Sequence, residues 1–135
     1  MTYDLYNKDT ILVTGVSGGG VGSTDWVQYV ADNTKKAKVM GMSDSGIFLI
    51  DYYDPITKTK PNVIATRNVW KMVGQMDDEY IPRPIRECIK DLGDLPSCTD
   101  LTVLAPYIQV PMFFIQSTYD EYVLKYVLGM ECVTN

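Results

Sequence analysis

Ile11-Leu12-Val13-Thr14-Gly15-Val16-Ser17-Gly18-Gly19-Gly20-Val21-Gly22 joins a largely apolar run to a turn crowded with glycine. A short apolar run of this kind suits a parallel strand buried on both faces. Beyond the turn, Asp25 to Ala31 reads as a helix, with Trp26, Tyr29 and Val30 at helical spacing on one face. Gly15 to Gly19 fits G-x-S-x-G between strand and helix, the setting a serine nucleophile elbow requires. In such an elbow the turn is tight, so the residues two places either side of Ser17 must be small. The hydroxyl then stands above the strand end. The next amide, that of Gly18, points toward a developing oxyanion, and the helix N-terminus adds a field that favours negative charge.

Other uses of these glycines stay open on the motif alone. Thr14 to Gly22 superficially follows the T-G-x-x-x-G-x-G turn of short-chain dehydrogenases, but the last required glycine falls on Val21. The strict G-x-G-x-x-G fingerprint is absent. None of the ten tyrosines has a lysine four places on, the pair that such dehydrogenases use. Asp44, at the end of a second strand, is the feature that favours dinucleotide binding. A phosphate-binding P-loop would need lysine before Ser23, where Gly22 stands. A glycine turn with a purely structural role is the third option.

Outward from this stretch, Val39 to Met42 reads as the second strand, and Ile47 to Asp51 continues extended after the turn at Asp44-Ser45-Gly46. Tyr52 to Thr66 is a polar surface excursion carrying Pro55 and Pro61. Val69 to Val73 and Ile85 to Lys90 suit two short helices, so residues 52–106 form a helical insertion. Met112 to Gln116 is the third strand, opened by Pro111. Glu121 to Leu128 then looks helical, with Tyr122, Val123 and Tyr126 on one side. Strands alternating with helices predict a parallel α/β sheet in a single domain spanning 1–135.

Composition narrows the function. The 135 residues are 46% hydrophobic and 21% charged, enough to build a core. The net charge of −5 is scattered, with no basic stripe, which argues against a nucleic-acid partner. No apolar run is long enough to span a membrane, and Met1 to Tyr6 does not read as a signal peptide. The three cysteines, Cys88, Cys98 and Cys132, show no metal-ligand spacing, and histidine is absent. They read either as buried thiols or as part of a disulfide pattern with one partner outside the chain. Neither a metal nor a cofactor is expected.

Asp120 follows the third strand, in the order Ser then acid that α/β-hydrolases use. An acid at a strand end can orient an imidazole and stabilise its charged form. The plainer use of an aspartate in this turn is to cap the helix beginning near Glu121. Asp44 and Asp51 are weaker candidates for the acid, because they follow an earlier strand.

Taken in order, four blocks resemble the family of pectin acetylesterases and Notum carboxylesterases. Gly15 to Gly22 is similar to its nucleophile block, usually G-x-S-A-G-G, with Gly18 where alanine is usual. Met42 to Asp51 is similar to its A-D-[AS]-G-x-F-L-D block, with one extra residue before the last aspartate. Cys88 and Cys98 sit like its cysteine pair in the helical insertion. Tyr119-Asp120-Glu121 resembles the block holding the catalytic acid.

The resemblance implies a secreted serine carboxylesterase with a Ser-Asp-His triad, acting on acetyl groups of a polysaccharide or on an acyl-protein. It makes Ser17 the nucleophile, Asp120 the acid and the Gly18 amide one oxyanion donor. It also implies a Cys88–Cys98 disulfide, with Cys132 free or paired outside the chain. The expected fold is a partial α/β-hydrolase of central parallel strands with flanking helices, its first strands and last strand missing. The family's upstream oxyanion loop would lie before Met1 and its histidine after Asn135, so whether this chain is itself an enzyme stays open. The alternatives are a non-catalytic binding remnant and, less favoured, a nucleotide-binding α/β domain.

Overall fold

A computed structural model describes residues 7–48, 81–93, 95, 97–127 and 130. β1 (Thr10–Val16), β2 (Lys38–Asp44) and β3 (Met112–Ile115) form a parallel sheet in the order β1-β2-β3. α1 (Gly18–Asn33) makes the crossover from β1 to β2. α2 (Arg83–Leu92) and α3 (Leu101–Leu104) lie between β2 and β3. The strands and their parallel pairing agree with the sequence pattern, extended by a residue or two at most ends. The helix expected at Val69–Val73, the excursion at Tyr52–Thr66, the last three residues of the extended run Ile47–Asp51 and Cys132 lie outside the described residues.

Parallel pairing sets Ile11 beside Val39 and Val13 beside Gly41 on one face of the sheet, and Leu12 beside Met40 on the other. The first face packs on α1 and is closed by Val110: Val27, Val39 and Val110 are buried, with Ile11, Val13, Val30 and Met112 against them. The opposite face keeps Leu12, Val16, Phe113 and Ile115 exposed, Val16 at 66%. Burial on both faces, expected from the apolar run, is therefore not met among the described residues. β1 alternates instead, because α1 covers one side only.

α1 starts at Gly18, directly after Ser17 as the elbow reading expects near Gly18–Gly20, and seven residues before the point that amphipathic spacing indicates. Its packed stripe is Gly20, Ser23, Thr24, Val27 and Gln28, while Trp26 and Tyr29 are exposed and stack edge-to-face on each other. The aromatic face read from the sequence is thus not the core face. The turn before the helix decides its phase. The Ser17 N–H donates to the Asp44 carbonyl at 2.8 Å, docking the first turn on the end of β2. From that anchor, positions 20, 23, 24, 27 and 28 necessarily face the sheet. Glycine is a poor helix former, but here it admits close backbone approach. A Cβ at Gly20 would lie 2.9 Å from the Asp44 carbonyl oxygen and 3.0 Å from Gly46 Cα.

A second core forms under the helices from Ile85, Cys88, Cys98 and Leu104. Cys88 and Cys98 are joined by a disulfide, with Cα atoms 5.7 Å apart. α2 ends on Gly93 at φ 69°, the left-handed cap that lets its N–H reach the Ile89 carbonyl at 2.7 Å. An Arg83–Asp32 ion pair at 2.8 Å and a hydrogen bond from Gln109 N–H to Gln28 Oε1 at 2.9 Å tie this layer to α1.

Candidate active site

All three strands run parallel, so their C-terminal ends share one edge; Ser17 follows β1, Asp44 ends β2 and Asp120 lies in the turn after β3. Ser17 follows β1 directly, with φ 55° and ψ −121°. Positive φ is uncommon for a residue with a Cβ and costs about 1–3 kcal/mol, so surrounding structure must impose it. Two bonds do so. Its N–H is held by Asp44 O, and its carbonyl accepts from the Gly20 and Val21 amides at 2.8 and 3.2 Å as the helix begins. A serine before a helix ordinarily caps it with its hydroxyl. Ser17 makes no such bond and is exposed, leaving Oγ free at the sheet edge. The amides of Gly18 and Gly19 belong to the first helical turn, where no carbonyl inside the helix can accept from them.

The small-neighbour rule holds on one side only. A Cβ at Gly15 would collide with the Gly19 backbone, whereas one at Gly19 would meet nothing within 4 Å. Gly15 is required by the turn and Gly19 is not, because the crowding runs from strand to helix. Gly18 to Gly22 lie inside α1, so no open phosphate-binding loop exists at the position the dinucleotide reading needs. Asp44 accepts a hydrogen bond from Ser45 Oγ at 2.9 Å, and its role toward Ser17 is through its backbone carbonyl. Asp51 lies outside the described residues.

Asp120 is half-buried in the turn after β3. Its Oδ1 accepts from the Val123 N–H at 3.0 Å and its carbonyl from the Leu124 N–H at 2.9 Å, so it does cap the helical turn that includes Val123–Val127. Its Oδ2 accepts from Gln116 Nε2 at 3.1 Å. An ionised carboxylate offers about four lone-pair sites, so these two side-chain bonds leave capacity for a further donor. The expected apolar side of the following helix is open, with Tyr122 and Tyr126 both about half exposed.

Backbone bonds connect the serine turn to the acid turn. Ser17 N–H bonds Asp44 O, and Ser45 N–H, at the second positive φ in the site (51°), bonds Ile115 O at 2.7 Å. Gln116 then reaches both ways, accepting from Ile47 N–H at 3.0 Å and donating to Asp120. Sequence reading placed Gln116 only as the last residue of a strand. The available signal was a polar side chain ending an apolar strand four places before the candidate acid.

A family model described as pectinacetylesterase matches residues 1–135, the whole chain. The chain belongs to that family. Its fold agrees: a solved structure of the Wnt deacylase Notum from Drosophila superposes with a TM-score of 0.65 at 26% identity. The match covers 90% of this chain and 35% of Notum's, so the chain spans about a third of that relative's length. Three parallel strands with flanking helices are accordingly part of an α/β-hydrolase fold. Among curated proteins, none matches significantly by sequence.

Proposed function

We propose that this pectinacetylesterase-family chain carries the serine and the acid of an ester-hydrolysing triad, with the imidazole supplied from outside its 135 residues. Ser17 is the nucleophile, the Gly18 N–H is one oxyanion donor and Asp120 orients the base. The observation that carries the reading is Ser17 held at φ 55° with its hydroxyl uncapped, on the sheet edge that Asp120 shares. A histidine placed between the two would take the Ser17 proton as Oγ attacks an ester carbonyl, and water would then release the acyl group. Family and neighbour support a carboxylic ester as substrate, an acetylated polysaccharide or an acylated protein. The Cys88–Cys98 disulfide supports an oxidising, extracellular compartment for the parent protein.

With no histidine in the sequence, Ser17 keeps an ordinary hydroxyl, and the chain alone hydrolyses p-nitrophenyl acetate no faster than its Ser17→Ala variant. Added imidazole restores a Ser17-dependent rate above that control. Hydrolysis clearly above the control without imidazole would refute the assignment of the base to a residue outside the chain. Identical rates for the two proteins in imidazole would remove Ser17 as nucleophile.

A further inference from the structure

We propose that Gln116 is a positioning residue of this site: its side-chain amide fixes the direction in which Asp120 presents its carboxylate. The inference rests on reading Asp120 as the acid. Gln116 is half-buried at the end of β3, and both ends of its amide are engaged. Oε1 accepts from the Ile47 N–H at 3.0 Å and Nε2 donates to Asp120 Oδ2 at 3.1 Å.

The orientation of that amide follows from chemistry. A backbone N–H can only donate, so the atom facing Ile47 must be the carbonyl oxygen, and the NH2 is thereby turned to Asp120. The flipped amide would oppose two donors at one end and two acceptors at the other. Ile47 is itself held to the nucleophile side of the site, since it follows the turn in which Asp44 O binds Ser17 N–H and Ser45 N–H binds Ile115 O. Gln116 therefore refers the acid to the same backbone frame that holds the serine.

On the carboxylate, Gln116 takes one oxygen and the Val123 N–H takes the other. Two donors on different oxygens leave little freedom of rotation about the Cβ–Cγ bond. The lone pairs left over are those offered to an incoming imidazole N–H. Without the Gln116 donor, Oδ2 is released and the carboxylate turns about its remaining bond to Val123. Misplacement of a catalytic partner by about 1 Å can cost on the order of a hundredfold in rate.

Two substitutions separate positioning from simple stapling of turns. Gln116→Glu keeps an acceptor for Ile47 but sets oxygen against the Asp120 carboxylate, whereas Gln116→Met removes both bonds. The readout is labelling of Ser17 by a fluorophosphonate in the presence of imidazole. There the Oγ–P bond forms, the P–F bond breaks, fluoride leaves and imidazole carries away the serine proton.

The wild-type chain should label faster with imidazole, and Asp120→Asn, Gln116→Glu and Gln116→Met should each lose at least roughly tenfold of that increment. Gln116→Glu should do so with the backbone amide spectrum of Ile47 and Ser45 little changed. In the isotope-labelled chain, the Gln116 side-chain NH2 resonances should move when Asp120 is replaced by asparagine. An imidazole-dependent rate retained in Gln116→Glu but lost in Asp120→Asn would overturn the positioning role while leaving the acid assignment intact. So would NH2 resonances indifferent to Asp120. No loss in Asp120→Asn, or no response of the wild type to imidazole, would overturn both.

Discussion

Asp25 gives the stability of the chain a pH dependence of its own. Amphipathic spacing puts it at the start of a helix, but α1 begins at Gly18, which carries Asp25 into the second turn. Desolvation by burial pushes its carboxyl from 3.8 up to about 7. The folded chain therefore holds a proton on Asp25 between about pH 4 and pH 7 while the unfolded chain has released it. Unfolding free energy then falls as pH rises through this window: the stabilising contribution is complete below about pH 4 and lost above about pH 7. A displacement of about 3 units at 1.36 kcal/mol each sets a ceiling of about 4 kcal/mol. The residue keeps some solvent contact, so an effect of about 1–4 kcal/mol is expected, a large part of a typical net stability of about 5–15 kcal/mol.

Asp25→Asn removes the titration. Urea melts followed by circular dichroism at pH 4, 5, 6, 7 and 8 should show variant and wild type close at pH 4. The variant's advantage should open steadily to about 1–4 kcal/mol by pH 8. All other titrating groups are common to both proteins and cancel in the difference. Parallel curves, or a wild type that gains on the variant between pH 4 and 7, would refute the burial of this carboxylate.

Four further outcomes can be checked by thermal or urea unfolding. Replacing both Cys88 and Cys98 by serine should cost about 2–3 kcal/mol, the chain entropy of a loop with a sequence separation of 10. Gly20→Ala should destabilise by about 1–3 kcal/mol, because its Cβ would stand 2.8 Å from Ser43 Oγ and 2.9 Å from the Asp44 carbonyl. Gly19→Ala, with open space around its Cβ, should instead stabilise α1 by up to about 1 kcal/mol; the same sign for both would discredit the packing of α1 on β2. Ser17→Gly relieves the strained φ and should raise stability by about 1 kcal/mol while abolishing fluorophosphonate labelling. A destabilised Ser17→Gly chain would mean that the turn is not strained.

Much of the sheet edge that carries Ser17 and Asp120 was legible in the sequence. Gly15 and Ser17 announce a tight strand-to-helix turn because only a residue without a Cβ fits where strand and helix backbones nearly touch. The alternation of apolar runs with helical spacing forecast parallel pairing, and the order Ser17 then Asp120 placed both after strands whose ends share an edge. The plainer reading of Asp120 is the one the structure realises: it caps a helical turn, and its carboxylate still has lone pairs to offer.

What the chain pattern could not show depends on long-range approach. The exposed aromatics Trp26 and Tyr29 look like core residues by hydrophobicity, yet the phase of α1 is set by a hydrogen bond to Asp44, which sequence spacing does not register. Gly19 and Gly20 are identical letters, and only the position of β2 makes one replaceable and the other not. Gln116 is an unremarkable strand-end amide until β2 and β3 pair and bring the Ile47 N–H within reach of it. Local residue types determined the turn, the strands and the order of the chemistry. Tertiary packing decided which faces are buried, which carboxylate is desolvated and which backbone N–H anchors the Gln116 amide beside Asp120, since these depend on segments remote in sequence.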